Sequence, residues 1–102
     1  MIQFFKKLFG GNEVDYKDLV ENGAQIIDVR TEAEFGNGHL QRSKNIPLQN
    51  LRNSFGKIDK SKPVITICAS GIRSASARSI LQDAGFVAHN GGSWSGLEKK
   101  LR

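Results

Sequence analysis

Apolar residues follow two rhythms along this chain. Three short apolar runs are too brief for helices, and the first two are rich in β-branched residues: Gln25-Ile-Ile-Asp-Val29, Pro63-Val-Ile-Thr-Ile-Cys68 and Phe86-Val-Ala-His89. They predict strands. The run ending at Cys68 is apolar but for Thr66, as expected of a central parallel strand covered on both faces. Between the runs, apolar residues three or four apart predict helices. Asp15 reads as an N-cap for a short helix with Leu19 and Val20 on its apolar side, stopped by Gly23. Thr31-Glu-Ala-Glu34 matches a capping box, and Gly36 and Gly38 break the helix it starts. Asn45-Ile-Pro47 reads as extended, because the residue before proline avoids the helical region. Leu48, Leu51 and Phe55 mark another helical segment, closed by Gly56. Ile72 to Ala84 predicts a helix burying Ala75, Ala77, Ile80, Leu81 and Ala84, with Gly85 as its cap. Gly91 and Gly92 predict a turn, after which Trp94 and Leu97 begin a last helix. Alternating strand and helix predict a compact α/β domain with a mostly parallel sheet and helices on both faces.

The remaining features narrow this picture. A chain of 102 residues fits one domain, assigned to residues 13–102. Residues 1–12 form a separate amphipathic segment. Ile2, Phe5 and Phe9 share helical spacing, and Lys6 and Lys7 break any secretory h-region. The segment reads as a helix that caps the core, with a weak membrane-surface or partner contact as the alternative. No apolar run approaches the ~20 residues of a membrane span, so a cytoplasmic location is expected. The one cysteine, Cys68, excludes a disulfide scaffold and a thiolate-rich zinc site. His39 and His89 are the only histidines. No metal or organic cofactor is expected.

Charge is uneven. Residues 1–51 carry six basic and seven acidic side chains, and residues 52–102 carry nine basic and three acidic ones. The basic half holds the cysteine, which suits an anionic substrate. Lys57, Lys60 and Lys62 stand singly and read as a solvated face. No basic stretch is interleaved with aromatics as single-strand binders require, so nucleic acid is not an expected partner.

Cys68 ends the best strand, and in open α/β sheets ligands bind at that edge. A lone cysteine there is more often a small buried hydrophobe than a nucleophile. The next five residues change the balance. Ala69-Ser-Gly-Ile-Arg73 forms a tight loop entering a helix, so backbone N–H groups, the helix dipole and Arg73 converge on the sulfur. All three favour the thiolate, which is the nucleophile. Gly71 lets the backbone close where a side chain would obstruct it.

At this point the chain resembles the single-domain rhodaneses, the thiosulfate sulfurtransferase family. The resemblance runs from about Val14 to Leu101. Its residues are Asp28-Val-Arg30, Glu34-Phe35, Gly38-His39-Leu40, Asn45-Ile-Pro47, Cys68-Ala-Ser-Gly-Ile-Arg73 with Ser74, Gly85-Phe86, and Gly91-Gly92 with Trp94. Each is weak alone; in order and at this spacing they are specific. The resemblance implies a five-stranded, mainly parallel sheet with helices on both faces. It implies that Cys68 takes a sulfane sulfur as a persulfide and passes it to a thiophilic acceptor, within a loop formed by Ala69, Ser70, Gly71, Ile72 and Arg73. The expected partners are a small anionic donor (thiosulfate or a persulfide), a thiol or cyanide acceptor, and in the cell a protein acceptor.

Loop length separates two chemistries. Four residues lie between Cys68 and Arg73, whereas phosphatase signatures, including those on the related fold, place five there. A phosphate needs a wider ring of N–H groups than one sulfur atom, so sulfur transfer is favoured. Many family members carry a basic residue directly after the cysteine; Ala69 stands there instead. That shifts the expected donor from dianionic thiosulfate toward a persulfide, polysulfide or protein. It also keeps open a non-catalytic or weakly catalytic sulfur-carrier or protein-interaction module. Asp28 and Arg30 share the sheet edge with Cys68 and read as support for the active loop. His39 and His89 read as structural, Trp94 as a core anchor, and Ser70 and Ser74 as caps of the following helix.

Overall fold

The computed structural model describes residues 14–102; the amphipathic segment expected over 1–12 lies outside them. The sheet order is β2-β1-β3-β4 and every pairing is parallel. Its strands are β1 (Gln25–Asp28), β2 (Ser43–Asn45), β3 (Val64–Cys68) and β4 (Ala88–Ser93), and its helices are α1 (Tyr16–Glu21), α2 (Glu32–Gly36), α3 (Ile72–Asp83) and α4 (Trp94–Lys100). Four strands, rather than the five the resemblance implies, are present among the described residues. The three apolar runs and the piece before Pro47 supply all four. Helices and turns occupy the stretches between them, so no run from residue 14 onward is left to pair as a fifth.

Side chains alternate across β1 and β3, and each face has its own core. Ile27, Val29, Val64 and Cys68 point toward α3 and meet Ala77, Leu81, Leu51 and Phe86. Ile26, Ile65 and Ile67 point the other way and meet Leu97, Leu40 and the partly buried Tyr16, Leu19 and Trp94. Leu81 and Leu97 are fully buried, each contributing roughly 1.5–3 kcal/mol. The helices therefore lie on both faces, as the alternating pattern predicts.

The local signals behave as their chemistry requires. Asp15 accepts from the Asp18 N–H at 3.0 Å and starts α1. At α2, both halves of the capping box form between Thr31 and Glu34. Two boundaries differ from the sequence reading. Residues 48–53 and 55–57 wind as 3-10 helices rather than one α-helix; the Asn50 N–H returns to the Pro47 carbonyl at 2.8 Å, a three-residue reach. Strand β4 begins at Ala88 rather than Phe86, because the Phe86 N–H closes the end of α3 on the Leu81 carbonyl at 2.9 Å.

The largest correction concerns Gly91 and Gly92, which lie inside β4 rather than in a turn. Thr66 pairs Asn90 while Ile67 pairs Gly92, so Gly91 is the extra residue of a bulge. A Cβ at Gly91 would stand 2.7 Å from Ile65 Cγ2 and 3.0 Å from the Thr66 carbonyl oxygen. The glycine is needed for close packing against β3. By re-aiming the chain here, the bulge sets Asn90 and Gly92 beside the loop that follows Cys68.

Candidate active site

Cys68 closes β3, and the chain then turns through Ala69–Gly71 into α3. Gly71 is the N-cap residue at φ +102°, and no side chain caps this helix. A Cβ there would meet Gly92 Cα at 3.4 Å, so the turn uses the glycine for its conformation and for close approach. The loop folds back over the strand end. The Gly71 N–H donates to Cys68 Sγ at 3.0 Å and the Ser74 N–H at 3.3 Å. The thiol faces Ser74 Oγ at 3.3 Å. Burial pushes the Cys68 thiol up. The Ser74 hydroxyl and N–H and the Gly71 and Ser70 N–H groups together outweigh it, leaving the thiol below its ordinary range. The sulfur is fully covered, with Cys68 0% exposed, while Ile72 on the loop is 76% exposed.

Ser74 does not cap α3 as its position suggests. It is fully buried, and its hydroxyl donates to Asn90 Oδ1 at 2.6 Å. Asn90 in turn donates from Nδ2 to the Gly71 carbonyl at 3.1 Å and accepts the Gly92 N–H at 2.9 Å. Asn90 is the residue the sequence reading missed. Nothing in its spacing marks it; only the bulge brings it to Ser74.

Arg73 points out of the loop to Glu34, with Nη1 and Nη2 donating to the two carboxylate oxygens at 2.8 and 2.9 Å. Its charge is therefore shared with a carboxylate rather than directed at the sulfur alone. The Arg73 hydrogen bonds, helped by the Thr31 N–H, hold the Glu34 carboxyl at about 2, and Arg73 is correspondingly raised. Glu34 belongs to both the capping box and the resembling Glu34-Phe35 pair, but its partner 39 positions away is not legible from either.

Asp28 and Arg30 do come together. Arg30 Nη2 and Nε donate to the Asp28 carboxylate at 2.8 and 3.0 Å, and both side chains are buried. Neither hydrogen-bonds the Cys68 loop. Arg30 Nη2 also donates to the Gly38 carbonyl at 2.8 Å, and its guanidinium lies 5.0 Å over the Trp94 ring. The pair thus reaches the loop at one remove: Arg30 anchors the end of α2, and α2 carries Glu34 to Arg73. Ala69 and Ser70 are exposed.

His39 stacks on Phe35 with ring centroids 3.8 Å apart, and its Nδ1 lies 2.8 Å from the Phe35 carbonyl. His89 pairs Ile65 on β4. No cluster of three or more His, Cys, Asp or Glu side chains suited to a metal exists among the described residues, and no described helix is long and apolar enough to cross a membrane. Beside the loop, an open groove of about 460 Å³ is lined by Val29, Thr31, Glu32, Pro47, Leu48 and Arg73, among others. It adjoins the loop through Arg73; Cys68 is not part of its wall.

Comparison with known proteins agrees with this layout. The sequence profile of the rhodanese-like domain matches residues 13–100. The chain is 36% identical over 62 residues to the thiosulfate sulfurtransferase GlpE of Shewanella oneidensis, covering 61% of each protein. It is 31% identical over 70 residues to the protein of the same name from Pseudomonas aeruginosa, covering 69% of this chain and 64% of that one. It thus spans slightly less than two thirds of these relatives. A rhodanese-related protein from Thermoplasma volcanium superposes with a TM-score of 0.68 at 35% identity, over 80% of this chain and 86% of that one.

Proposed function

The chain belongs to the rhodanese-like domain family, and on that premise we propose that it is a sulfurtransferase whose carrier is a persulfide on Cys68. The observation that carries this reading is the cradle at the sulfur: two backbone N–H groups, Gly71 of the loop and Ser74 of the first turn of α3, aimed at Sγ. Such fixed dipoles stabilise negative charge without reorganising.

The chemistry has two halves. The Cys68 thiolate attacks the sulfane sulfur of thiosulfate or a persulfide. A bond forms between Sγ and that sulfur, the donor's S–S bond breaks, and sulfite or a thiolate leaves with the electron pair. Cyanide or a thiol then attacks the outer sulfur, and Cys68 departs as thiolate. One nucleophile serves both halves, which is ping-pong logic. Ala69, Ser70, Gly71, Ile72 and Arg73 form the loop that receives the donor, and the Asp28–Arg30 pair supports it through α2. No metal or organic cofactor enters either half.

Because the sulfur is covered at rest, loading requires the loop to part, and the exposed Ile72 marks its outer rim. Arg73 is the loop's only cation, and Glu34 shares it. A persulfide of lower charge is therefore the better donor than dianionic thiosulfate. A second reading, a non-catalytic or weakly catalytic sulfur-carrier or interaction module, is favoured by one observation: the 0% exposure of Cys68.

Intact mass spectrometry under non-reducing conditions separates the two. After incubation with thiosulfate, or with a low-molecular-weight persulfide, the wild-type chain is expected to gain one sulfur that cyanide removes. Cys68→Ser is expected to gain none. Equal loading of the variant sinks the Cys68 assignment, and no loading from either donor favours the interaction module.

A further inference from the structure

Four hydrogen bonds form a ring around the loop, and its proton count is constrained. The orientation of Asn90 is fixed from two sides. The Gly92 N–H needs an acceptor at Oδ1, 2.9 Å away, and the Gly71 carbonyl needs a donor at Nδ2, 3.1 Å away. Exchanging the amide's O and N would set donor against donor and acceptor against acceptor. Oδ1 is therefore an acceptor toward Ser74. The Ser74 hydroxyl has a single hydrogen, and at 2.6 Å that hydrogen lies between Oγ and Oδ1. Ser74 Oγ is left to present lone pairs to Cys68 Sγ at 3.3 Å, which suits a protonated thiol donating to it.

We propose that Asn90 is a positioning residue that holds the Ser74 hydroxyl proton away from Cys68, so that the resting cysteine is kept as the thiol and becomes a thiolate when Ser74 rotates. Full stabilisation of the thiolate needs that rotation. The thiol proton passes to solvent as the loop parts, the hydroxyl turns its hydrogen to sulfur, and Oγ and Oδ1 are then two acceptors facing each other until Asn90 shifts. The backbone donors at Gly71 and Ser74 favour the thiolate throughout. The hydroxyl's share in lowering the Cys68 thiol is realised only after its hydrogen has turned from Oδ1 to sulfur. The network thus sets two N–H groups against one amide oxygen, and a donor that displaces the loop relieves the opposition.

The charged groups around the sulfur are few. From α3, Arg73 stands at the rim of the loop, turned outward and paired with Glu34 of α2. From β1, Asp28 is closed on Arg30. From β4, the neighbouring side chain is the neutral Asn90, whose backbone carbonyl accepts the Tyr16 hydroxyl of α1 at 2.8 Å; the strand's titratable residue, His89, pairs Ile65, whose side chain lies on the opposite face. None of these competes for the Ser74 hydrogen.

The proposal deepens the role of Cys68 as nucleophile, but its test does not use sulfur transfer. The rate of iodoacetamide alkylation of Cys68 is measured against pH. Asn90→Leu removes the competing acceptor, so the profile is expected to move to lower pH. Well below the midpoint the variant alkylates about tenfold faster, the size expected of one hydrogen bond to a charged group. Asn90→Asp keeps the acceptor and adds negative charge, so its profile moves to higher pH. The added charge raises the aspartate profile whatever the role of Asn90, so the reading that discriminates is the leucine shift and its dependence on the Ser74 hydroxyl. In a Ser74→Ala background, Asn90→Leu is expected to leave the profile unchanged, because no proton remains to redirect. If Asn90→Leu fails to fold, Asn90→Ala takes its place. The proposal is overturned if both Asn90 variants slow alkylation, or if the leucine effect survives loss of the Ser74 hydroxyl. Failure to load sulfur with the opposed shifts intact would overturn the sulfurtransferase reading and leave the role of Asn90 standing.

Discussion

Arg30 and Arg73 each close a two-pronged grip on a carboxylate, yet one pair is sealed beneath the sheet edge and the other stands at the rim of the site. The Asp28 and Arg30 side chains are 0% and 6% exposed; those of Glu34 and Arg73 are 37% and 36% exposed. The difference is topological. Asp28 ends β1 between β2 and β3, with Asn45 on one side and Ile67 on the other, so its carboxylate has no route to water. Glu34 sits on the first turn of the short surface helix α2. The same chemical pair is therefore a scaffold member in one place and an adjustable charge in the other. In the interior, an unpaired ion is costly; at the surface, water and salt substitute for a lost partner.

The largest expected effect comes from breaking the inner pair. Asp28→Ala leaves the Arg30 guanidinium buried without its carboxylate and is expected to destabilise the fold by about 3–5 kcal/mol. Chemical denaturation with an unchanged slope would show it. A loss no greater than that of an ordinary surface substitution would mean Arg30 escapes to solvent, and the comparison would fail at its first step.

Arg30→Lys probes the same pair more gently. The charge is kept, but a single ammonium cannot hold both carboxylate oxygens, the Gly38 carbonyl and the Trp94 face together. A cost of roughly 1–3 kcal/mol is expected. The end of α2 should also loosen, measurable as faster amide exchange of the Gly38 N–H, which now bonds the Phe35 carbonyl at 3.2 Å. An unchanged exchange rate would show that Trp94 packing alone secures that end.

The two pairs also differ in how far the sequence discloses them. Asp28 and Arg30 lie two positions apart at the end of a clear strand, so their association follows from local geometry. The strand–loop–helix around Cys68 is legible for the same reason: an apolar run, a glycine and an amphipathic helix are contiguous. Arg73 and Glu34 come from different elements, and each has a sufficient local reading, the cysteine loop for one and the capping box for the other. Asn90 is hidden more deeply. Two adjacent glycines read as a turn because a bulge in a paired strand has the same composition. Only the parallel pairing to β3, a non-local event, turns Gly91 into the extra residue and directs Asn90 toward Ser74. Local chemistry thus reveals Cys68 and its loop, while Asn90, the acceptor beside Ser74, is placed by register.

The smallest expected effect belongs to the outer pair, and its dependence on conditions identifies it. The Glu34 carboxyl is held at about 2, below its ordinary 4.5, chiefly by the Arg73 hydrogen bonds and then by the Thr31 N–H. A carboxyl depressed in the folded state stabilises the fold fully above its unfolded value, and that contribution is lost as pH falls through the folded value. Glu34→Gln makes a clean probe, because glutamine still serves the third position of a capping box while losing the charge that faces Arg73. The stability gap between wild type and this variant is therefore expected to be present at neutral pH and to close as the pH falls from 4.5 toward 2. It should also shrink in about 1 M salt, where screening acts over ~3 Å. The gap made by Asp28→Ala should persist in the same salt, because the inner pair is shielded by protein rather than by ions. Parallel salt titrations of the two variants supply the measurement. If both gaps close together, burial does not separate the two pairs; if the Glu34 gap ignores salt, the outer pair is held by the rigidity of α2 and not by its charge.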